Sequence, residues 1–239
     1  MKTKLISVVV PAYNAGKYLA ETLDSIRGQD YQPHEVLVVD DGSTDNTAAI
    51  AKSYPEVRYI WQCNQGLATA RNTGLANAVG ELISFLDADD IWLSGRSRIE
   101  VEYLDAHPEA GCVMARMRNF LQPGVAQPLW ATNEMLHEDF EAYQIGALLA
   151  QRWVFEQVGN FNAEYVSASE TDWFMRLKEA GITMGILSEV LVRRRIHANN
   201  MSANHTLRAQ SRLRILKASI DRKRMKGGRG PFAGSATLP

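Results

Sequence analysis

Leu82-Ile83-Ser84-Phe85-Leu86-Asp87-Ala88-Asp89-Asp90 is a short apolar run that breaks abruptly into carboxylates. Such a run bounded by polar residues is the pattern of a strand buried on both faces, as in a parallel sheet. The same pattern occurs twice upstream. Leu5-Ile6-Ser7-Val8-Val9-Val10 ends at Pro11 and leads into Tyr13-Asn14, and Glu35 to Val39 leads into Asp40-Asp41-Gly42-Ser43. Helical spacing fills the gaps. Tyr18, Leu19, Leu23 and Ile26 predict an amphipathic helix over 16–27, and Thr44 or Asp45 can cap a helix carrying Ile50 and Ala51. A strand at Val57 to Trp61 and a helix at Leu67 to Ala78 complete the alternation. Strands alternating with helices predict an α/β fold, a mainly parallel sheet covered on both faces. Ligands of such sheets gather beyond the carboxyl ends of the strands, where all three polar clusters fall.

Beyond Asp90 the rhythm loosens. A helix is expected at Ser97 to Ala106, a strand at Gly111 to Met117, helices at Ala147 to Val158 and Thr171 to Ala180, and two short strands within Ile182 to Ile196. Residues 119–142 have no period, as an active-site loop would. The organisation is one domain over 1–204, with a first part at about 1–90 and a second at about 91–204. A basic helical tail over 205–226 and a disordered Gly/Pro/Ser-rich end over 227–239 follow.

Composition narrows the class. Apolar content of 46% and charged content of 22% over 239 residues are those of a soluble enzyme with a sizeable core. Cys63 and Cys112 give neither a disulfide framework nor a metal-ligand spacing, so a reducing, cytoplasmic setting is expected. No apolar run approaches the ~18 residues of a membrane span. The first run is shorter than the roughly 7–15 residues of a signal peptide, and Pro11-Ala12-Tyr13-Asn14 follows it instead of a cleavage site. The net charge of −1 hides an asymmetry: residues 205–239 hold nine Lys/Arg and one Asp, the remainder 17 basic against 26 acidic residues. An acidic body argues against a nucleic-acid partner. The tail sets Leu207, Leu213, Leu216 and Ile220 among Arg and Lys. It fits either peripheral contact with the inner face of an anionic membrane or, as the favoured reading, packing on the domain or self-association.

The clusters carry distinct chemistry. Asp87 and Asp89, one residue apart at a strand end, can hold Mn2+ or Mg2+, hard cations that take oxygen ligands and share them with substrate phosphates. The plain alternative is an acidic turn capping the next helix. Asp40 and Asp41 can accept from a base N–H or a ribose hydroxyl, with Gly42 permitting the turn; the alternative is turn plus cap. Arg71 can pair with phosphate or with an acidic neighbour. Glu170 and Asp172 open a helix, where acids complement the dipole, yet either suits a general base. His197 can ligate a metal or bond a diphosphate, or be structural.

The segments VVVPAYN (8–14), VVDDGSTD (38–45), NQGLATARNTG (64–74), FLDADD (85–90), ETDWFMRL (170–177) and RRRIHANNMS (193–202) stand in the order found in family 2 glycosyltransferases, which the chain resembles from about Leu5 to Ser202. The resemblance implies the GT-A fold: a Rossmann-like, mainly parallel central sheet with helices on both faces, here extended by the basic C-terminal helix. It implies inverting transfer from a nucleotide-diphosphate sugar, UDP being the commonest carrier, to a carbohydrate, lipid-linked or protein acceptor in polysaccharide or glycoconjugate synthesis. It makes about 1–90 the nucleotide-binding part and about 91–204 the acceptor part, with acceptor choice expected in 119–145. It implies a nucleotide pocket at Pro11, Tyr13, Asp40, Asp41, Arg71, Asp87 and Ala88, and metal binding at Asp89 assisted by Asp87 and His197. The family's base comes from the Asp of a Glu-Asp pair. Alignment on Arg176-Leu177 puts Ser169-Glu170 there instead, so Glu170 is the first candidate and Asp172 the second. A module that binds the nucleotide sugar without turning it over is the rival reading. Asp41-Gly42-Ser43 also resembles the loop of haloacid-dehalogenase-type phosphatases, but their nucleophile would fall on Val39. No Gly-x-x-x-x-Gly-Lys-Ser/Thr stretch supports a P-loop enzyme.

Overall fold

The computed structural model describes residues 3–128, 131–140, 143–166, 168–197, 200 and 205–227. The expected disordered end lies outside these residues apart from Gly227, as do Ala198, Asn199, Met201 and Ser202.

Four parallel strands form the first half of one sheet: β1 (Ile6–Ala12), β2 (His34–Asp41), β3 (Val57–Gln62) and β4 (Leu82–Phe85), in the order β3-β2-β1-β4. Helices α1 (Leu19–Arg27), α2 (Thr47–Lys52) and α3 (Leu67–Asn77) connect them. Val8, Val9, Val10, Leu37, Val38, Val39, Ile83 and Phe85 are fully buried, which is why these strands read as unbroken apolar runs. Strand β1 does not stop at Pro11 as expected but runs through it. Val9 accepts from Leu86 N on the β4 side, so Pro11, two residues on, faces that side too, where β4 has already ended. Its missing N–H therefore costs no ladder bond. At Gly74 an added Cβ would lie 2.2 Å from Val9 Cγ1. Only glycine lets α3 lie this close to β1.

The second half departs from the sequence expectations in four places. The helix expected over Ala147 to Val158 is divided: a 3-10 turn (Ile145–Ala147) leads into strand β8 (Leu148–Gln151), and helix α6 (Arg152–Val158) follows. Strand β8 fills the space between β4 and β6 (Ala110–Leu121), antiparallel to both, with Ala150 opposite Ile83 on one side and Cys112 on the other. A short apolar run has no period that tells strand from helix, and two waiting strand edges decide it. The two short strands expected over Ile182 to Ile196 are one strand, β9 (Thr183–Ile196), parallel to β6 with register shifts at Met114/Arg116 and Arg116/Met117 that absorb its irregularity. The aperiodic 119–142 stretch contains the end of β6, helix α5 (Asn133–His137) and strand β7 (Asp139–Phe140), which pairs with β6. Strand β5 (Ile91–Trp92) was not expected. It pairs with β9, Ile91 opposite Arg193, and so ties the acidic cluster to the segment that carries His197. Helix α4 (Arg96–Ala106) sits before β6. Helix α7 (Ser169–Glu179) packs against the tail helix α8 (His205–Gly227), which matches the expected basic helix.

Candidate active site

The register that sets Ala12 beside Asp40, and Val9 beside Phe85, brings the loops after β1, β2 and β4 to one sheet edge. The loop after β2 is built from within. Asp40 is fully buried; its Oδ1 accepts from Ser43 N (2.8 Å) and its Oδ2 from the Tyr59 hydroxyl (2.7 Å). Burial, then this bond to Asp40, pushes the Tyr59 phenol up, so it stays a donor. Gly42 takes φ +79°, and Asp41 beside it ties β2 to α3, with Oδ1 accepting from Gln65 N (2.9 Å) and Gln62 Nε2 (2.7 Å) and Oδ2 from Gly66 N (2.8 Å). Asn14 Oδ1 accepts from Thr44 N at 2.8 Å and joins this loop to the one after β1. Both carboxylates are thus buried and bonded within the loop. What the cluster turns outward is the Tyr13 ring, 55% exposed above buried Pro11. Asp45 accepts from Thr47 N and Oγ1, but the N-cap position of α2 is Asn46, not the expected Thr44 or Asp45, and Asp45 closes the turn just before it.

Arg71 lies at the centre of the second cluster. Its guanidinium is 2% exposed, with Nη2 2.9 Å from Asp87 Oδ1 and Nη1 3.8 Å from Glu170 Oε2. Of the two partners open to Arg71 by sequence, the structure shows the acidic ones. Asp87 and Glu170 both keep an open side toward solvent, and Glu170 also accepts from Ile145 N at 3.2 Å. Asp172 points elsewhere. It is buried, its Oδ2 accepts from Arg176 Nε at 2.8 Å, and its Oδ1 faces Arg222 of α8 at 3.5 Å. Of the two acids weighed as a base, one stands beside the Arg71–Asp87 pair and the other faces the tail helix.

The third cluster surrounds Asp89. His197 Nε2 is 2.9 Å from Asp89 Oδ2, and its ring stacks on Tyr18 at 4.8 Å. Asn200 Oδ1 accepts from His197 N at 2.6 Å and fixes the end of β9. Arg195, 2% exposed, holds the assembly: its backbone N donates to Asp90 Oδ1 (2.9 Å), Nε to the Asp89 carbonyl (2.8 Å), Nη2 to Glu21 (2.6 Å) and Nη1 to Gln122 (2.5 Å). Burial first, then the charges of Asp89 and Asp87, push Asp90 well above the usual carboxylate range. Thr22 donates to the carbonyls of Ala88 and Asp90, so buried Ala88 contributes its backbone. Arg195, Tyr18, Glu21, Gln122 and the role of Asp90 escaped the sequence reading; the only signal was the arginine run before His197.

Among the described residues no group of three or more His, Cys, Asp and Glu side chains could hold a metal ion by itself. Asp87 turns to Arg71, which leaves the carboxylate–imidazole pair of Asp89 and His197. That pair has the chemistry to fit Mn2+, which accepts imidazole as well as carboxylate, and would need further ligands from outside these side chains.

Residues 7–163 match the profile of glycosyl transferase family 2. TuaG of Bacillus subtilis (strain 168), a glycosyltransferase assigned provisionally to teichuronic acid biosynthesis, is 29% identical over 212 residues, 84% of this chain and 82% of its own. The chain spans only 13 to 17% of the length of the first curated relatives it matches. TarS 1-349 of S. aureus in complex with UDP superposes with a TM-score of 0.67 at 25% identity, covering 80% of this chain and 60% of that one. The mannosyltransferase PcManGT from Pyrobaculum calidifontis, in complex with GDP-Man and Mn2+, gives 0.70 at 24% identity over 91% and 64%. The fold is the mostly parallel, curled α/β sheet of GT-A-type glycosyltransferases. With its profile matched over more than half of its length and its motifs gathered at one sheet edge, the chain belongs to glycosyl transferase family 2.

Proposed function

We propose that this protein is an inverting glycosyltransferase that moves a sugar from a nucleotide-diphosphate donor, UDP-linked first among candidates, to an acceptor hydroxyl in polysaccharide or glycoconjugate synthesis. The observation that carries the reading is Glu170 and Asp87 meeting on one buried guanidinium, Arg71, on the edge that also carries Asp89 and His197. Residues 1–90 serve as the nucleotide part, with the base packed on Tyr13 above Pro11, and residues 91–204 as the acceptor part. Asp40 and Asp41 act by holding the loop beneath the nucleotide.

Asp89, with His197 and more remotely Asp87, would hold Mn2+ or Mg2+; when bound, the cation offsets charge on the diphosphate. The chain's own residues do the rest. Glu170 takes the proton of the acceptor hydroxyl as its oxygen bonds to the anomeric carbon. The bond from that carbon to the diphosphate oxygen breaks from the opposite face, its electron pair leaving with the nucleotide, so configuration inverts. Arg71 holds Glu170 in position.

Turnover of UDP-sugars, measured with Mn2+ and with chelator, tests the reading. We expect Mn2+-dependent release of UDP that falls about 100-fold or more in Asp89→Ala. Tight donor binding without any release in the wild type would favour the sugar-nucleotide-binding module instead.

A further inference from the structure

Helix α8 is held to the body by one face. Ile215 is buried against Tyr165 and Ala168, Ser219 donates to Glu179 Oε1 at 2.5 Å, and Arg222 Nε lies 2.7 Å from Glu179 Oε2. A different face carries Leu213, Leu216 and Ile220, which are 71, 52 and 51% exposed. Their spacing at i, i+3 and i+7 lines them up in one stripe. Lys217, Lys223 and Arg224, all exposed, border that stripe on both sides. A helix that only packed on its domain would present polar residues to water here; a band of branched aliphatics between cations has the chemistry of a lipid–water boundary.

We propose that this face of α8 docks on an anionic lipid surface, with the aliphatic stripe at the acyl boundary and the flanking cations at headgroup level. Charge argues for this occupant. The segment 205–239 holds nine Lys/Arg against one Asp, whereas the rest holds 17 against 26, so an anionic surface attracts the tail and repels the body. A twofold contact between copies would set this cationic face against itself. The docking is independent of the chemistry assigned to Glu170 and Asp89, and its test does not use turnover.

The full chain is co-sedimented with phosphatidylcholine vesicles, and with the same vesicles containing phosphatidylglycerol. We expect binding about tenfold or more stronger to the anionic vesicles, lost as salt rises from about 0.1 to about 0.5 M. Both Leu216→Ser/Ile220→Ser and Lys217→Glu/Lys223→Glu/Arg224→Glu lower it about tenfold with unchanged melting, since these side chains face water. Absence of binding, equal binding to both vesicle types, or full binding by the charge-reversed variant overturns the proposal. So does a concentration-dependent dimer that Leu216→Ser abolishes, which assigns the stripe to a second copy.

Discussion

Arg71 shows how one buried residue can organise a site. It is buried to 2% yet meets two carboxylates that remain open, so it fixes their positions. Its partners were recognisable by type, because a lone arginine on the first turns of a helix after a strand needs an anion. Their identity was not, since Glu170 lies on a helix far along the chain. Arg195 is the harder case: it reaches Glu21 across 174 positions, and no local pattern encodes such a pair. His34 offers a test in pH. Burial lowers its ring from 6.5 to about 4, and Nδ1 has no partner. Above pH 6.5 the ring is neutral in folded and unfolded chains and contributes nothing. Below it the unfolded chain binds a proton that the native site refuses until about pH 4, so stability falls through that window by up to about 2 kcal/mol, allowing for partial exposure. Thermal melts at about pH 7.5 and about pH 5 should differ less in His34→Gln than in the wild type. Identical differences in both would remove His34 from the acid response.

Among the elements, legibility followed pairing partners. Strands β1, β2, β3 and β4 and helices α1, α2 and α3 were readable because apolar runs and helical periods alternate without ambiguity there. Strand β8 was read as helix because its four residues continue into the apolar pattern of α6, and only the edges of β4 and β6 select the extended form. Two-residue β5 carries no period at all, yet it sets the distance between Asp89 and His197 by pairing with β9. Close approach is the clearest element-scale prediction. In Gly74→Ala the new methyl meets Val9 at 2.2 Å, so α3 must shift from β1, taking Arg71 with it. Chemical denaturation should show a loss of about 1–3 kcal/mol; a loss below about 0.5 kcal/mol would mean that α3 is not seated as described.

At the scale of the molecule, a sheet with its polar clusters at one edge supports chemistry on one side and leaves α7 to divide its acids. Glu170 faces the Arg71–Asp87 pair, while Asp172 and Glu179 face α8 through Arg222. The sequence narrowed the proposed base to two acids on one helical turn but could not orient them, because the orienting partners, Arg71 and Arg222, flank that turn from opposite ends of the chain. Turnover and UDP affinity of Glu170→Gln and Asp172→Asn, measured side by side in Mn2+, test this division most directly. Glu170→Gln should lose about 100-fold or more in turnover with UDP affinity retained, and Asp172→Asn should keep turnover within about threefold while melting lower. Full turnover in Glu170→Gln together with its loss in Asp172→Asn would contradict the assignment of Glu170 as the base.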